Sequence, residues 1–154
     1  MQEGFHLSTA KTVKQIMSTD CVTVTPKDNV YEIALKMKQH DIGFIPVVEG
    51  KKLLAVVTDR DLVVRGFAEK KEGSTAVMDV VSQNPTTIAP DTSVGEAAKI
   101  MARDKIRRLP VVENGELVGV VAIGDLAIRD VFEDNVGEAL GKISESEKTF
   151  ATTK

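Results

Sequence analysis

Apolar residues at 30, 33, 34 and 37, and again at 94, 97, 98 and 101, keep to one face of a 3.6-residue period. They predict amphipathic helices over Val30 to Met37 and Val94 to Met101. Asp28 and Asn29 before the first, and Thr92 and Ser93 before the second, supply side-chain oxygens for capping first-turn amides. After each helix the period gives way to continuous apolar runs. Ile45 to Val48 and Leu53 to Val57 flank the polar turn Glu49-Gly50-Lys51-Lys52, and Leu109 to Val112 and Leu117 to Val121 flank Glu113-Asn114-Gly115-Glu116. Two β-branched runs around a short turn predict a hairpin, and their lack of alternation predicts burial on both faces. Val13 to Met17 and Val77 to Val81 read as one or two helical turns. Val22-Thr23-Val24 and Thr86-Thr87-Ile88 read as short strands stopped by Pro26 and Pro90. A second helix follows each hairpin, over Asp59 to Val64 and Gly124 to Val131.

The pattern is one segment written twice. Residues 13–62 and 77–126 align at a constant offset of 64, and 18 of the 50 pairs are identical, more than shared composition supplies. A supersecondary unit has been duplicated, and such units bury their open faces against one another. The order β-α-β-β-α, twice, predicts an α/β fold of two repeats packed with pseudo-two-fold symmetry. The expected division is a tail over 1–11, a first domain over 12–66, a charged linker over 67–75, a second domain over 76–131 and a tail over 132–154. That last tail holds a possible short helix from Val136 to Ile143.

Composition narrows the function classes. The 154 residues are 42% hydrophobic and 28% charged, as expected of a water-soluble globular chain with room for an ordinary core. A net charge of -3 gives no basic face for nucleic acid. No apolar run is long enough for a membrane span, and Met1-Gln2-Glu3-Gly4 lacks the layout of a signal peptide. The lone Cys21 has no disulfide partner and reads as a packed structural thiol, which fits a cytoplasmic location. His6 and His40 are not in metal-ligand spacing, and no motif of a hydrolase, metalloprotease or nucleotide-cleaving loop is present. The chain reads as a non-catalytic protein with no catalytic cofactor and no metal.

Two patterns carry candidate chemistry. Thr58-Asp59-Arg60-Asp61 stands where the last strand of the first repeat meets its second helix. It fits a capping box, Thr58 bonding the Asp61 amide and Asp61 reaching back. It also fits a short carboxylate placed to take the two hydroxyls of a ribose, as an acidic residue does in dinucleotide folds. In the second repeat Ala122-Ile123-Gly124-Asp125 drops the threonine and keeps the carboxylate, so the box is expected to be broken there. Ahead of the hairpins stand Ile42-Gly43-Phe44-Ile45-Pro46 and Ile106-Arg107-Arg108-Leu109-Pro110. The arginine pair suits an anion such as phosphate. It equally suits snorkelling to solvent or pairing with Asp104 or Glu113.

These repeats, the x-P-V-V strand and the T-x-x-D that follows resemble the cystathionine-β-synthase-type (CBS) domain over roughly residues 12 to 131, with two copies forming a Bateman module. The text is similar to small bacterial proteins made of that module alone. The resemblance implies a tandem CBS pair that binds an adenosine-containing ligand (AMP, ADP, ATP, NAD or S-adenosylmethionine) between the repeats. It also implies a homodimer and an unidentified protein partner that reads the ligand-bound state. Carried over, the site is crossed: Asp61 takes the ribose with Thr58 nearby and Arg60 assisting, Arg107 and Arg108 take phosphate, and Thr86, Ile88 and Pro110 line the adenine. The reciprocal site would use Asp125 with Thr23, Val24, Gly43, Phe44 and Pro46, and is expected to be the weaker. For the homodimer the implied surface is Leu62-Val63 with Phe67, and Leu126-Ala127-Ile128 with Val131. The alternative is a module that has lost its ligand and acts by association alone.

Overall fold

The computed structural model describes residues 11–82 and 84–127, which divide into two compact units. The first-repeat unit holds residues 20–86 and 114–117; the second-repeat unit holds 11–19, 87–113 and 118–127. The expected helix over Val136 to Ile143, the end of the helix expected to reach Val131, and the outer parts of both tails lie outside the described residues.

In the first-repeat unit, helix α1 spans Val30–His40. Asn29 caps it: the Glu32 N–H donates to Asn29 Oδ1 at 2.9 Å, and the Asn29 N–H donates to Glu32 Oε1 at 2.8 Å. The reciprocal pair satisfies two amides that the first turn leaves open. Asp28 instead turns back to accept the Thr25 N–H at 2.8 Å. Strands β1 (Phe44–Glu49) and β2 (Lys52–Thr58) form an antiparallel hairpin with Phe44 opposite Thr58, Glu49 opposite Lys52 and a bulge between Val47 and Val48. The chain then enters a short helix α2 (Asp59–Asp61), widens into a π-helical stretch over Leu62–Gly66, and closes with a 3-10 turn, Phe67–Glu69.

The second-repeat unit follows the same plan. Ser93 Oγ accepts the Glu96 N–H at 3.0 Å to cap helix α3 (Val94–Asp104). Strands β3 (Arg108–Glu113) and β4 (Glu116–Ala122) are sheet neighbours, and helix α4 covers Ile123–Ala127. Asn114 and Gly115 both take positive φ at the hairpin turn, which a tight connection requires and which these residue types accept. That turn, residues 114–117, groups with the first-repeat unit, where the Leu117 N–H donates to Lys51 O at 2.8 Å and the Leu53 N–H to Gly115 O at 3.1 Å.

The short strands expected at 22–24 and 86–88 shrink to single parallel bridges, Val24 with Val47 and Ile88 with Val111. The Val24 N–H donates to Pro46 O at 3.1 Å and the Ile88 N–H to Pro110 O at 3.1 Å. Pro46 and Pro110 have no N–H to extend the ladder, and Pro26 and Pro90 stop it two residues on.

The opening turns depart most from a reading along the sequence. The 3-10 turn Val13–Gln15 belongs to the second-repeat unit, where the Val13 N–H donates to Thr92 O at 2.8 Å and the Val94 N–H to Lys11 O at 3.2 Å. Its counterpart Val77–Asp79 belongs to the first-repeat unit, with the Val77 N–H on Asp28 O at 3.1 Å and the Val30 N–H on Thr75 O at 2.9 Å. Val13 is fully buried among Val94, Ala98, Met101 and Leu109; Val77 and Val80 are fully buried among Ile33, Ile45 and Val57. Each valine removed from water in this way contributes about 1.5–3 kcal/mol. In space, each unit opens with the other repeat's turn.

The two long helices are buried to different depths. On α3 the whole predicted stripe, Val94, Ala97, Ala98 and Met101, is buried. On α1 only Ile33 and Met37 are, while Ala34 is exposed and Tyr31 and Leu35 also face solvent.

Candidate functional site

Strand β2 delivers Thr58 in extended backbone, and the chain turns into α2 directly after it. The capping box expected of this tetrapeptide forms: the Asp61 N–H donates to Thr58 Oγ1 at 3.1 Å, and the Thr58 N–H donates to Asp61 Oδ2 at 2.9 Å. Two further groups meet the other oxygen. The Ser82 hydroxyl donates to Asp61 Oδ1 at 3.3 Å, and Arg65 Nε lies 3.4 Å from the same atom, one turn along the helix. Asp61 is 7% exposed and is the buried charged side chain among the described residues. Desolvating a carboxylate is costly without hydrogen bonds, and these contacts offset the cost.

The matching carboxylate of the second repeat is less deeply buried. Asp125 is half-buried, and the Ala122 N–H donates to its Oδ2 at 2.9 Å. Replacing threonine by Ala122 therefore breaks the reciprocal box, as expected, while the carboxylate stays in place. It removes the hydroxyl half; the backbone N–H remains and still recruits the carboxylate.

The segments ahead of the hairpins bond to the backbone two residues before each carboxylate. The Asp59 N–H donates to Gly43 O at 3.0 Å, and the equivalent Ile123 N–H donates to Arg107 O at 2.8 Å. A Cβ on Gly43 would sit 2.6 Å from Asp59 Oδ2, so glycine leaves the space that the Asp59 side chain takes. Where the first repeat has Gly43 with an acidic Asp59, the second has Arg107 with an apolar Ile123. Arg60, Arg107 and Arg108 are exposed.

Each unit gathers its own set. Thr23, Val24, Gly43, Phe44, Pro46 and Thr86 share a unit with Thr58, Arg60 and Asp61; Ile88, Arg107, Arg108 and Pro110 share one with Asp125. Pro46, Pro110, Val24 and Ile88 are buried, whereas Thr23, Phe44 and Thr86 are half-buried. Arg65 and Ser82 were not anticipated. Arg65 carried a signal, the i+4 spacing from Asp61. Ser82 carried a weaker one, its identity with Ser18 in the paired repeat.

Among the described residues no group of histidine, cysteine, aspartate and glutamate side chains is placed to hold a metal, and no helix is long and apolar enough to cross a membrane.

Comparison with known proteins gives the same picture. The CBS domain family model matches residues 13–65 and 77–130. The chain is 42% identical over 137 residues to the uncharacterised protein YlbB of Bacillus subtilis, covering 88% of this chain and 93% of that one. It is also 42% identical over 132 residues to the CBS domain-containing protein YhcV of the same organism, covering 86% and 94%. Among solved structures, CBSX2 in complex with AMP superposes with a TM-score of 0.69 at 27% identity, covering 76% of this chain and 93% of that one. Two family matches in tandem, near-full-length relatives and a shared α/β architecture lead to one conclusion: the chain belongs to the CBS domain family, as a tandem CBS pair.

Proposed function

We propose that this CBS pair is a non-catalytic sensor of an adenosine-containing ligand, the AMP, ADP, ATP, NAD or S-adenosylmethionine class. Ligand binding would bias its conformation and so a surface that a partner protein reads. The observation that carries the proposal is the likeness to CBSX2, which was crystallised in complex with AMP. It is supported by a carboxylate at the end of the second hairpin strand in both repeats, Asp61 and Asp125, and by the exposed pair Arg107 and Arg108. In this reading the carboxylates take ribose hydroxyls, with Thr58 and Arg60 beside Asp61, and the arginines take phosphate. Ile88 and Pro110 meet the adenine, joined by Thr86; Val24, Pro46 and their neighbours Thr23, Gly43 and Phe44 are the equivalent set.

A thermal melt in the presence of each ligand tests this. A compound bound by the folded form alone raises the melting temperature, by about 2.7 kcal/mol of stabilisation at a hundredfold excess over Kd. A crossed site, with Asp61 and the arginines on one ligand, predicts strong coupling between Asp61→Ala and Arg107→Ala in a double-mutant cycle on AMP affinity. Additive losses would rule the crossing out.

A second reading has its own observation. Asp61 already has partners in Thr58, Ser82 and Arg65, which suits a module that binds no ligand and acts by association. No melting shift with any of the five compounds would select it. In either case we propose a homodimer formed through the exposed apolar residues Val63 and Phe67, with Tyr31 on α1. Leu62, by contrast, packs against the core. Native mass spectrometry of the protein gives the subunit count and the mass of any retained ligand.

A further inference from the structure

The turns that open the two units share their apolar pattern and differ in the residue that ends each, Met17 in one and Val81 in the other. The strand residue that goes with each differs in the opposite sense. Met17 leads into an antiparallel bridge in which the Ser18 N–H donates to Val120 O and the Val120 N–H to Ser18 O, both at 2.9 Å. Val81 leads into the equivalent bridge between Ser82 and Val56. The residue just before the bridge is Gly119 on β4 and Ala55 on β2. The longer side chain goes with a glycine and the shorter one with a methyl.

The space over Gly119 is filled. A Cβ there would lie 2.6 Å from Met17 Sδ, 2.9 Å from Met17 Cγ and 2.9 Å from the Ser18 carbonyl oxygen. Non-bonded heavy atoms in contact stand about 3.5–4.0 Å apart, so a methyl and the thioether cannot both occupy that space. Gly119 is buried, and Met17 packs against the core of the second-repeat unit. In the first-repeat unit the methyl is present as Ala55, and it is buried in one core with Val81, whose side chain reaches two bonds less far than that of methionine.

We propose that Met17 with Gly119, and Val81 with Ala55, form a size key that directs each opening turn into the other repeat's unit. Docked on its own repeat, the Met17 turn would meet the Ala55 methyl in the space its thioether needs, and an overfilled core is destabilised. The Val81 turn set over Gly119 would leave a void where the thioether now lies, and that is destabilising too. Both observed pairings are filled and both alternatives are not. Volume therefore selects the exchange of turns where the apolar pattern is indifferent.

Disulfide trapping reads the pairing directly. Residues joined by two antiparallel backbone bonds have Cα atoms about 5.5 Å apart, within reach of a disulfide. In the full chain carrying Cys21→Ser, Ser18→Cys with Val120→Cys reports the observed pairing, and Ser18→Cys with Val56→Cys reports docking on the same repeat. Each is scored on the monomer after oxidative refolding from urea. With the key intact, the first crosslink should exceed the second by about tenfold or more. Adding Ala55→Gly and Val81→Met gives both units the same pair, and the ratio should fall to within about threefold of unity. A ratio that the added pair leaves unchanged overturns the proposal, and so does a ratio near unity with the key intact.

Urea unfolding with Cys21 in place gives an independent reading if the combined variant folds poorly. Gly119→Ala should lower the midpoint by about 0.5–1 M, and adding Met17→Val should recover part of the loss, the Ser18 carbonyl keeping the rest. Equal midpoints for Gly119→Ala with and without Met17→Val would show that the thioether does not compete for that space, and the key would fail.

Discussion

Asp61 and Asp125 occupy the same place in the repeat, and the structure uses them differently. The first is buried and bonded from three directions; the second is half-buried and accepts the Ala122 N–H. Around them the charges invert, Gly43 with Asp59 on one side and Arg107 with Ile123 on the other. Duplication copied the scaffold. Divergence at a handful of positions then changed how deeply each carboxylate is buried.

The sharpest way to break this comparison is to remove each carboxylate in turn and measure stability by urea unfolding. Asp61→Ala leaves the Thr58 N–H and the Ser82 hydroxyl without their acceptor and should cost about 2–4 kcal/mol. Asp125→Ala acts at a half-buried position, where water compensates for part of the lost Ala122 N–H bond, and should cost less, about 1 kcal/mol. Equal losses would mean that the two sites are not distinguished by their surroundings.

The hydroxyl half of the box provides the next largest effect. Thr58→Ala should cost about 1 kcal/mol, and Ala122→Thr, which supplies the missing acceptor, should gain about 0.5–1 kcal/mol. A destabilising Ala122→Thr would show that α4 has no use for a cap. The space over Gly43 comes third. Gly43→Ala puts a methyl against the Asp59 carboxylate and should cost about 1 kcal/mol, recovered when Asp59→Ala is added. Arg107→Ala at the paired, exposed position should change stability by less than about 0.5 kcal/mol.

The smallest effect concerns Cys21, whose partner in the repeat is Pro85 and which therefore acts in one repeat only. Burial, reinforced by the negative charge of Asp20, pushes its thiol above the usual range. The fold favours the neutral form, so this contribution is complete below the unfolded thiol value of about 8.5 and is lost as pH rises through the folded one. Iodoacetamide should alkylate Cys21 more slowly at pH 8 than it alkylates free cysteine. An equal or faster rate would contradict the shift.

What could be read in the sequence was local. The helices, their caps at Asn29 and Ser93 and both hairpins follow from spacing and residue type within a few positions, and they stand where the pattern put them. The threonine-to-aspartate box was equally legible, because both partners lie within one turn. The short strands were overread: a β-rich triplet says nothing of whether its neighbour can donate, and the neighbour here is proline. The half-box that survives at Ala122 was harder to see, because its donor is a backbone N–H and not a side chain. Ser82 was out of reach, since it meets Asp61 only through the fold. So was the placement of Val13 and Val77: two turns with the same apolar pattern carry no local mark of which unit each will join.

That last feature bears on how the chain is made and where it came from. During synthesis Val13 leaves the ribosome long before Thr92 and Val94 exist to receive it, so the second-repeat unit waits for both ends of its own structure, while the first has all its core residues once Val81 has emerged. A half-length ancestor with a single repeat could have placed its turn on its own chain or on a second copy. In the second case, fusion of two such copies would give the exchange of turns seen in this chain.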